Sequence, residues 1–327
     1  MNKKITNMKN FAKLIKLTLL VATSTVMFSC SDDDSVAQES NTIAAIASRN
    51  PNFTTLVAAL DRADLVQTLD QNGPFTVFAP TNAAFDAFLA DNGFTSLEDI
   101  PVDVLRQVLL NHVVSGNNPS SSLSTGYIKT LATGSASETN TLSMFVNRSS
   151  GIFATNGVSL RLNGVASVTT ANLVATNGII HVVDAVIGLP TVVTHAAANP
   201  GFSTLVGLLS QQDLVSTLDG TASSPFTVFA PNNDAFTTFE SQNPGTLGSL
   251  TSAQVTAVLT YHVVAGANVL STGIPSGPIT TFETGTFSVN GTTITDEAGR
   301  ETEIVGFDVQ ASNGVIHVLN NVILPEL

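Results

Sequence analysis

The chain has 327 residues, 43% of them apolar and 11% charged, enough for two ordinary cores and too apolar for a disordered polymer. Lys and Arg number 12 against 25 Asp and Glu, and the formal net charge of −13 opposes nucleic acid, heparin-like polymers and anionic lipid surfaces as partners. With 1 Cys there is no disulfide framework, and with no Trp and 2 Tyr there is little for sugar stacking.

The first residues read as an export signal. Lys3, Lys4, Lys9, Lys13 and Lys16 precede the apolar run Leu17 to Ala22, which ends at Met27-Phe28-Ser29-Cys30. Leu17 to Ser29 falls short of the roughly 18–20 residues that span a bilayer, so residues 1–29 are expected to be cleaved. Cleavage removes 5 Lys and no acid, taking the net charge from −13 to −18. A free thiol is a liability in an oxidising compartment, and no second Cys exists to pair with it. Cys30 and the following Ser31-Asp32-Asp33-Asp34 resemble a bacterial lipoprotein signal, which implies acylation of Cys30 as the only membrane attachment. Residues 30–40 then form an acidic tether. Its Asp triplet reads either as a surface-export signal or as a solvated spacer, so the expected location is the outer membrane, at the cell surface or on the periplasmic face.

Ile43 and Ile46 open a helical pattern, and Phe53, Leu56, Val57 and Leu60 continue it on one face beyond Pro51. Next comes Phe75-Thr76-Val77-Phe78-Ala79-Pro80-Thr81-Asn82-Ala83-Ala84-Phe85, read as a strand, a Pro corner and a helix N-capped by Asn82. It returns as Phe226-Thr227-Val228-Phe229-Ala230-Pro231-Asn232-Asn233-Asp234-Ala235-Phe236, with Asn233 in the place of Asn82. Pro231 follows Pro80 by 151 residues, far beyond the roughly 20–50 of solenoid units, so each copy is a domain with its own core. Residues 41–190 and 191–327 are the expected domains.

After the motif, Pro101 starts an amphipathic helix whose Leu105, Val108, Leu109 and His112 share a face, and Val255, Val258, Leu259 and His262 repeat it. The pattern then changes to short runs of period two. These are 142–147, 158–162, 165–169 and 179–186 in the first copy, and 279–282, 286–289, 292–295, 303–309 and 315–322 in the second. Both copies close on Asn-Gly, read as a hairpin turn, before Ile179-Ile180-His181-Val182 and Val315-Ile316-His317-Val318. Helices followed by an antiparallel sheet give an α+β class. The first copy carries a longer middle, near Ser115 to Phe153, which is a loop candidate.

The strand–Pro–Asn motif, Tyr261-His262 and both Asn-Gly-x-Ile-His-Val strands resemble the fasciclin (FAS1) domain family over about 42–327. The resemblance implies two tandem α+β domains, each a β-wedge of short strands packed with several helices. It also implies a non-enzymatic adhesion role toward a protein or matrix polymer. Tyr-His precedes the Val-Val pair in many members, so Tyr261 and His262 become the candidate interaction residues; Asn111-His112 departs from that pattern. A carotenoid-like apolar ligand is the alternative, because some fasciclin-like proteins carry such molecules.

No cofactor or metal is expected. His112 with His181, and His262 with His317, suggest paired sites, yet no carboxylate lies three or four residues away on the same helix face, and a hydrogen-bonded core His is the simpler reading. No hydrolase, metalloprotease, P-loop or dinucleotide motif is found. Phe75, Phe78 and Phe85 read as core rather than as a ligand pocket. Asp296, Glu297, Glu301 and Glu303 lack the calcium-loop order and read as a solvated hairpin. Function is therefore sought where the copies differ: at Asn111 against Tyr261, in the longer middle and in the acidic hairpin.

Overall fold

The computed structural model describes residues 41–150, 158–220 and 222–327; the expected export signal, Cys30 and the expected tether lie outside them. The first copy runs α1 (Ile43–Arg49), a 3-10 turn (Pro51–Phe53), α2 (Thr54–Arg62), α3 (Val66–Asp70), β1 (Phe75–Pro80), α4 (Asn82–Asp91), a second 3-10 turn (Leu97–Asp99) and α5 (Val102–Leu110). Strands β2 (Val113–Ser115), β3 (Gly126–Lys129), β4 (Ser143–Ser150), β5 (Val158–Leu162), β6 (Ala166–Ala175) and β7 (Gly178–Val183) follow. The second copy repeats the order as α6 (Val192–Ala198), α7 (Ser203–Gln211), α8 (Val215–Asp219), β8 (Phe226–Pro231), α9 (Asn233–Gln242), α10 (Thr246–Ser249) and α11 (Ser252–Tyr261). It ends with β9 (Val263–Ala265), β10 (Gly277–Thr280), β11 (Thr286–Asn290), β12 (Thr293–Thr295), β13 (Glu301–Ala311) and β14 (Gly314–Leu319).

Each copy is an α+β domain built on one seven-stranded sheet, ordered β2-β1-β7-β6-β5-β4-β3 and β9-β8-β14-β13-β12-β11-β10. The sheets are mixed, which corrects the antiparallel reading. β1 runs parallel to β7 with Phe78 opposite His181, and β8 runs parallel to β14 with Phe229 opposite His317. Two helices and the whole meander separate β1 from β7, and that length is what a parallel return requires.

β1 serves two cores through the alternation of a strand. Val77 and Ala79 join Phe53, Leu56, Phe85, Leu105 and Leu109 under the helices. Phe78 points to the opposite face, among Met144, Val146, Leu160 and Leu162. The sheet bends into a wedge along β6, which pairs with β5 at Ala166 and Ser167 and then with β7, with register shifts around Thr170. Asn172 takes φ 65° at the bend, and Asp308 takes φ 59° at the matching place in β13. Short polar side chains tolerate this conformation and bond locally: Ser120 N–H donates to Asn172 (2.9 Å) and Ser271 N–H to Asp308 (2.8 Å). Because β6 spends polar residues on this bend, its sequence breaks the period-two pattern, and the strand is longer than 165–169.

The described residues, from Asn41 to Leu327, form one compact unit. The longer middle of the first copy is shared between the β4–β5 hairpin and the β3–β4 connection, the latter running from Thr130 to Leu142 against Thr281 to Gly285 in the second copy. The β3–β4 connection is a strap onto the second domain. Ala136 N–H (2.8 Å) and Ser135 Oγ (3.0 Å) both donate to the Ser312 carbonyl. Gly134 lies so close that a Cβ there would sit 2.4 Å from Ser312 Cα. Beside the strap, Lys129 Nζ donates to the Asp308 carbonyl (2.9 Å) and Gln310 N–H donates to Ser143 Oγ (3.1 Å). Tyr127 packs edge-on to His195 at 5.5 Å and receives a hydrogen bond from Asn199.

Candidate functional site

Tyr261 and His262 end α11, whose apolar face rests on the sheet, so both residues turn inward. Tyr261 is fully buried; its hydroxyl donates to the Thr286 carbonyl (2.6 Å), its ring meets Phe287 edge-on, and burial pushes its pKa up. His262 is buried too; Nδ1–H donates to the Val258 carbonyl (2.7 Å) and Nε2 accepts from Ile323 N–H (3.3 Å). A contact through these two side chains would need them at the surface, so the expected Tyr261–His262 patch is corrected to a core clasp. At the equivalent place Asn111 is buried and donates to the carbonyls of Gly188 (2.9 Å) and Ile187 (3.4 Å), holding the exit toward the second domain.

His112 repeats His262, with Nδ1–H donating to the Val108 carbonyl (2.7 Å) and Nε2 accepting from Ile187 N–H (2.9 Å). Each of these rings ties a helix C-terminus to the chain leaving the last strand. Burial pushes both pKa values down to about 4 and makes them neutral linkers. His181 and His317 lie in the parallel strands and bond elsewhere. His181 bonds the Asn118 carbonyl (3.0 Å) and stacks on Phe78, while His317 bonds the Val269 carbonyl (2.9 Å) and tilts over Phe229. The members of each sequence pair therefore serve different backbone segments.

The motif Asn residues are not the caps. Thr81 and Asn232 occupy the cap positions and accept from Ala84 N–H (3.3 Å) and Ala235 N–H (2.8 Å). Asn82, one residue further, accepts from Thr55 N–H (3.0 Å) and donates to the Pro51 carbonyl (2.9 Å). Asn233 does the same with Thr204 (3.0 Å) and Pro200 (2.9 Å). Asn82 thus staples α4 to the start of α2 and the turn before it, and Asn233 staples α9 to α7 in the same way.

The closing Asn-Gly pairs are also clasps. Ala175 faces Gly178 across the ladder, so the two-residue turn is Thr176-Asn177 and Gly178 already belongs to β7. Asn177 accepts from Ile43 N–H (2.9 Å) and donates to the carbonyls of Leu69 (2.7 Å) and Gln71 (2.9 Å). Asn313 repeats this with Val192 N–H (2.9 Å) and the Leu218 carbonyl (2.8 Å). A Cβ on Gly178 would lie 1.9 Å from the Phe75 carbonyl oxygen, which is why Gly stands there. The repetition of Asn177 and Asn313 was visible in sequence, but their long-range partners were not.

The acidic hairpin is solvated at Glu297 and Glu301, and the solvated reading is corrected at Asp296 alone. Asp296 is buried, paired with Arg300 at 2.9 Å, and accepts from Ala298, Arg300 and Leu324 N–H. Bonds from Glu326 and Thr286 N–H hold Glu297 below the usual carboxylate range, and the Thr293 and Thr292 hydroxyls do so for Glu303. Among the described residues no three His, Cys, Asp or Glu side chains converge in a way that would hold a metal. One apolar cavity stands out, about 300 Å³ between α9, α10 and α11.

In both α+β domains the repeated polar residues are spent on internal bonds that hold the fold together. A Fasciclin domain model matches residues 51–190 and again 200–325, and the chain belongs to that family. "Protein sll1483" of Synechocystis is 38% identical over 146 residues, covering 45% of this chain and 72% of that protein. Human periostin is 27% identical over 281 residues, covering 84% of this chain and 31% of periostin. The solved FAS1 domain pair of the insect cell adhesion molecule Fasciclin I aligns with a TM-score of 0.49 at 20% identity, over 82% of this chain and 92% of that one.

Proposed function

We propose that this chain is a cell-surface adhesion protein that binds another protein or a matrix polymer and is held to the outer membrane by a lipid on Cys30. Fasciclin-domain proteins act in adhesion and partner binding. The observation that carries the reading here is the strap, Gly134 to Ala136 on Ser312, which makes the two domains one unit able to present a fixed composite face. With Tyr261 and His262 buried, the contact belongs to outer loops and strand faces. Beads coated with residues 31–327 should attach to the producer's cells or to matrix polymers above an unrelated acidic protein; equal retention would refute the reading.

A second reading, a carrier of a small apolar ligand, is favoured by the cavity under α10. For a carotenoid-like ligand, protein purified from its host should be coloured and yield an extractable pigment.

A further inference from the structure

The helical layers of the two domains diverge at one place. In the first copy Phe94, between α4 and the turn at Leu97, packs against the core. The Arg62 guanidinium, at the end of α2, donates to the carbonyls of Leu97 (2.7 Å), Glu98 (3.0 Å) and Ile100 (2.7 Å) and pins that turn down. In the second copy Gln211 ends α7 and is exposed, and the segment from Asn243 to Leu250 is one residue shorter than its counterpart from Asn92 to Ile100. Gly245, with φ 78°, leads into α10 in a segment that has no aromatic residue. The cavity of about 300 Å³ opens beneath it, walled by Leu208, Phe236, Leu247, Leu250, Val255 and Leu259.

The walls dictate the chemistry of an occupant. Thr204 and His262 are the lining residues with polar side-chain atoms, and both ring nitrogens of His262 are already bonded to backbone. A charged or hydrogen-bonding group placed inside would lose its hydration with little in return. Water is a poor filler for the same reason, and an apolar hollow left empty in a packed interior is costly. The volume is roughly twice the 150 Å³ that admits a benzene ring in an engineered cavity of another protein, and it lies at the small end of ordinary ligand sites. We infer that the second domain binds a single uncharged alkyl chain of medium length here, with any polar head left at the mouth. This inference rests on the apolar-ligand reading and gives it a site; a double-chain bilayer lipid is too large for the volume.

The test uses 1-decanol as the probe and methyl-labelled protein. Decanol should shift the methyl resonances of Leu208, Val255 and Leu259 saturably and raise the melting temperature. Val255→Phe and Gly248→Leu each place bulk at the pocket wall, and a Cβ at Gly248 meets open space. Each should weaken decanol binding by at least about tenfold, equivalent to about 1.4 kcal/mol, without lowering the melting temperature of the free protein. The inference is overturned if decanol shifts none of these methyls, if both folded variants bind it as the wild type does, or if the shifts fall on the smaller wedge cavity at Val264, Ile274 and Ile279. Binding to neutral phosphatidylcholine vesicles but not to decanol would also overturn it. A pigment extracted from host protein that binds both variants unchanged would keep the apolar-ligand reading and sink this site alone.

Discussion

Asn177 shows how much one buried amide can hold. It joins the start of α1, the end of α3 and the β6–β7 turn, and replacing it by Ala strands the Leu69 and Gln71 carbonyls and the Ile43 N–H. An unsatisfied buried group costs about 1–3 kcal/mol, so Asn177→Ala should lower unfolding free energy by about 3 kcal/mol or more. Thr81→Ala removes a helix cap and should cost about 1 kcal/mol. Urea denaturation of both variants checks the order. Three buried histidines, His112, His195 and His262, have pKa values pushed down to about 4 by burial, against about 6.5 in the unfolded chain. Between those values the unfolded state binds more protons, so the stabilisation from neutral histidine is complete above about pH 6.5 and is lost as the pH falls toward 4. Each should contribute a loss of about 2 kcal/mol between pH 7.5 and pH 5, read from denaturation midpoints. A flat profile would contradict the neutral-linker role of His112 and His262.

At the scale of elements, the strap and the bent strands decide the architecture. Gly134→Val would drive a side chain into the Ser312 backbone and lift the β3–β4 connection from the second domain. Calorimetry should then resolve two transitions where the wild type shows a single one; an unsplit transition at the wild-type temperature would mean that the strap does not couple the domains. The strap sequence, rich in Ser and Thr, was legible as a loop but not as an interface, because the group it meets is a backbone carbonyl, that of Ser312, which leaves no mark in the sequence. β2 and β9 escaped the reading of strands for another reason. Each is three residues long and follows directly on a helix, so no period had room to appear.

For the whole molecule, the anchor can be tested independently of the fold. Cys30→Ala should abolish incorporation of labelled fatty acid and release the protein from the membrane fraction; label that persists would refute acylation at that residue.

The sequence by itself determined the number of domains, the α+β class, the family and the residues of the cores, since repetition and apolar periodicity are local properties that survive without coordinates. The parallel pairing of β1 with β7, the inward turn of Tyr261 and His262, the staple made by Asn82 in place of a cap, and the cavity under α10 were decided only by the tertiary structure. Each depends on which distant backbone group a side chain meets: Thr286 for Tyr261, Pro51 for Asn82, Ser312 for the strap. Spacing along the chain carries no record of such partners.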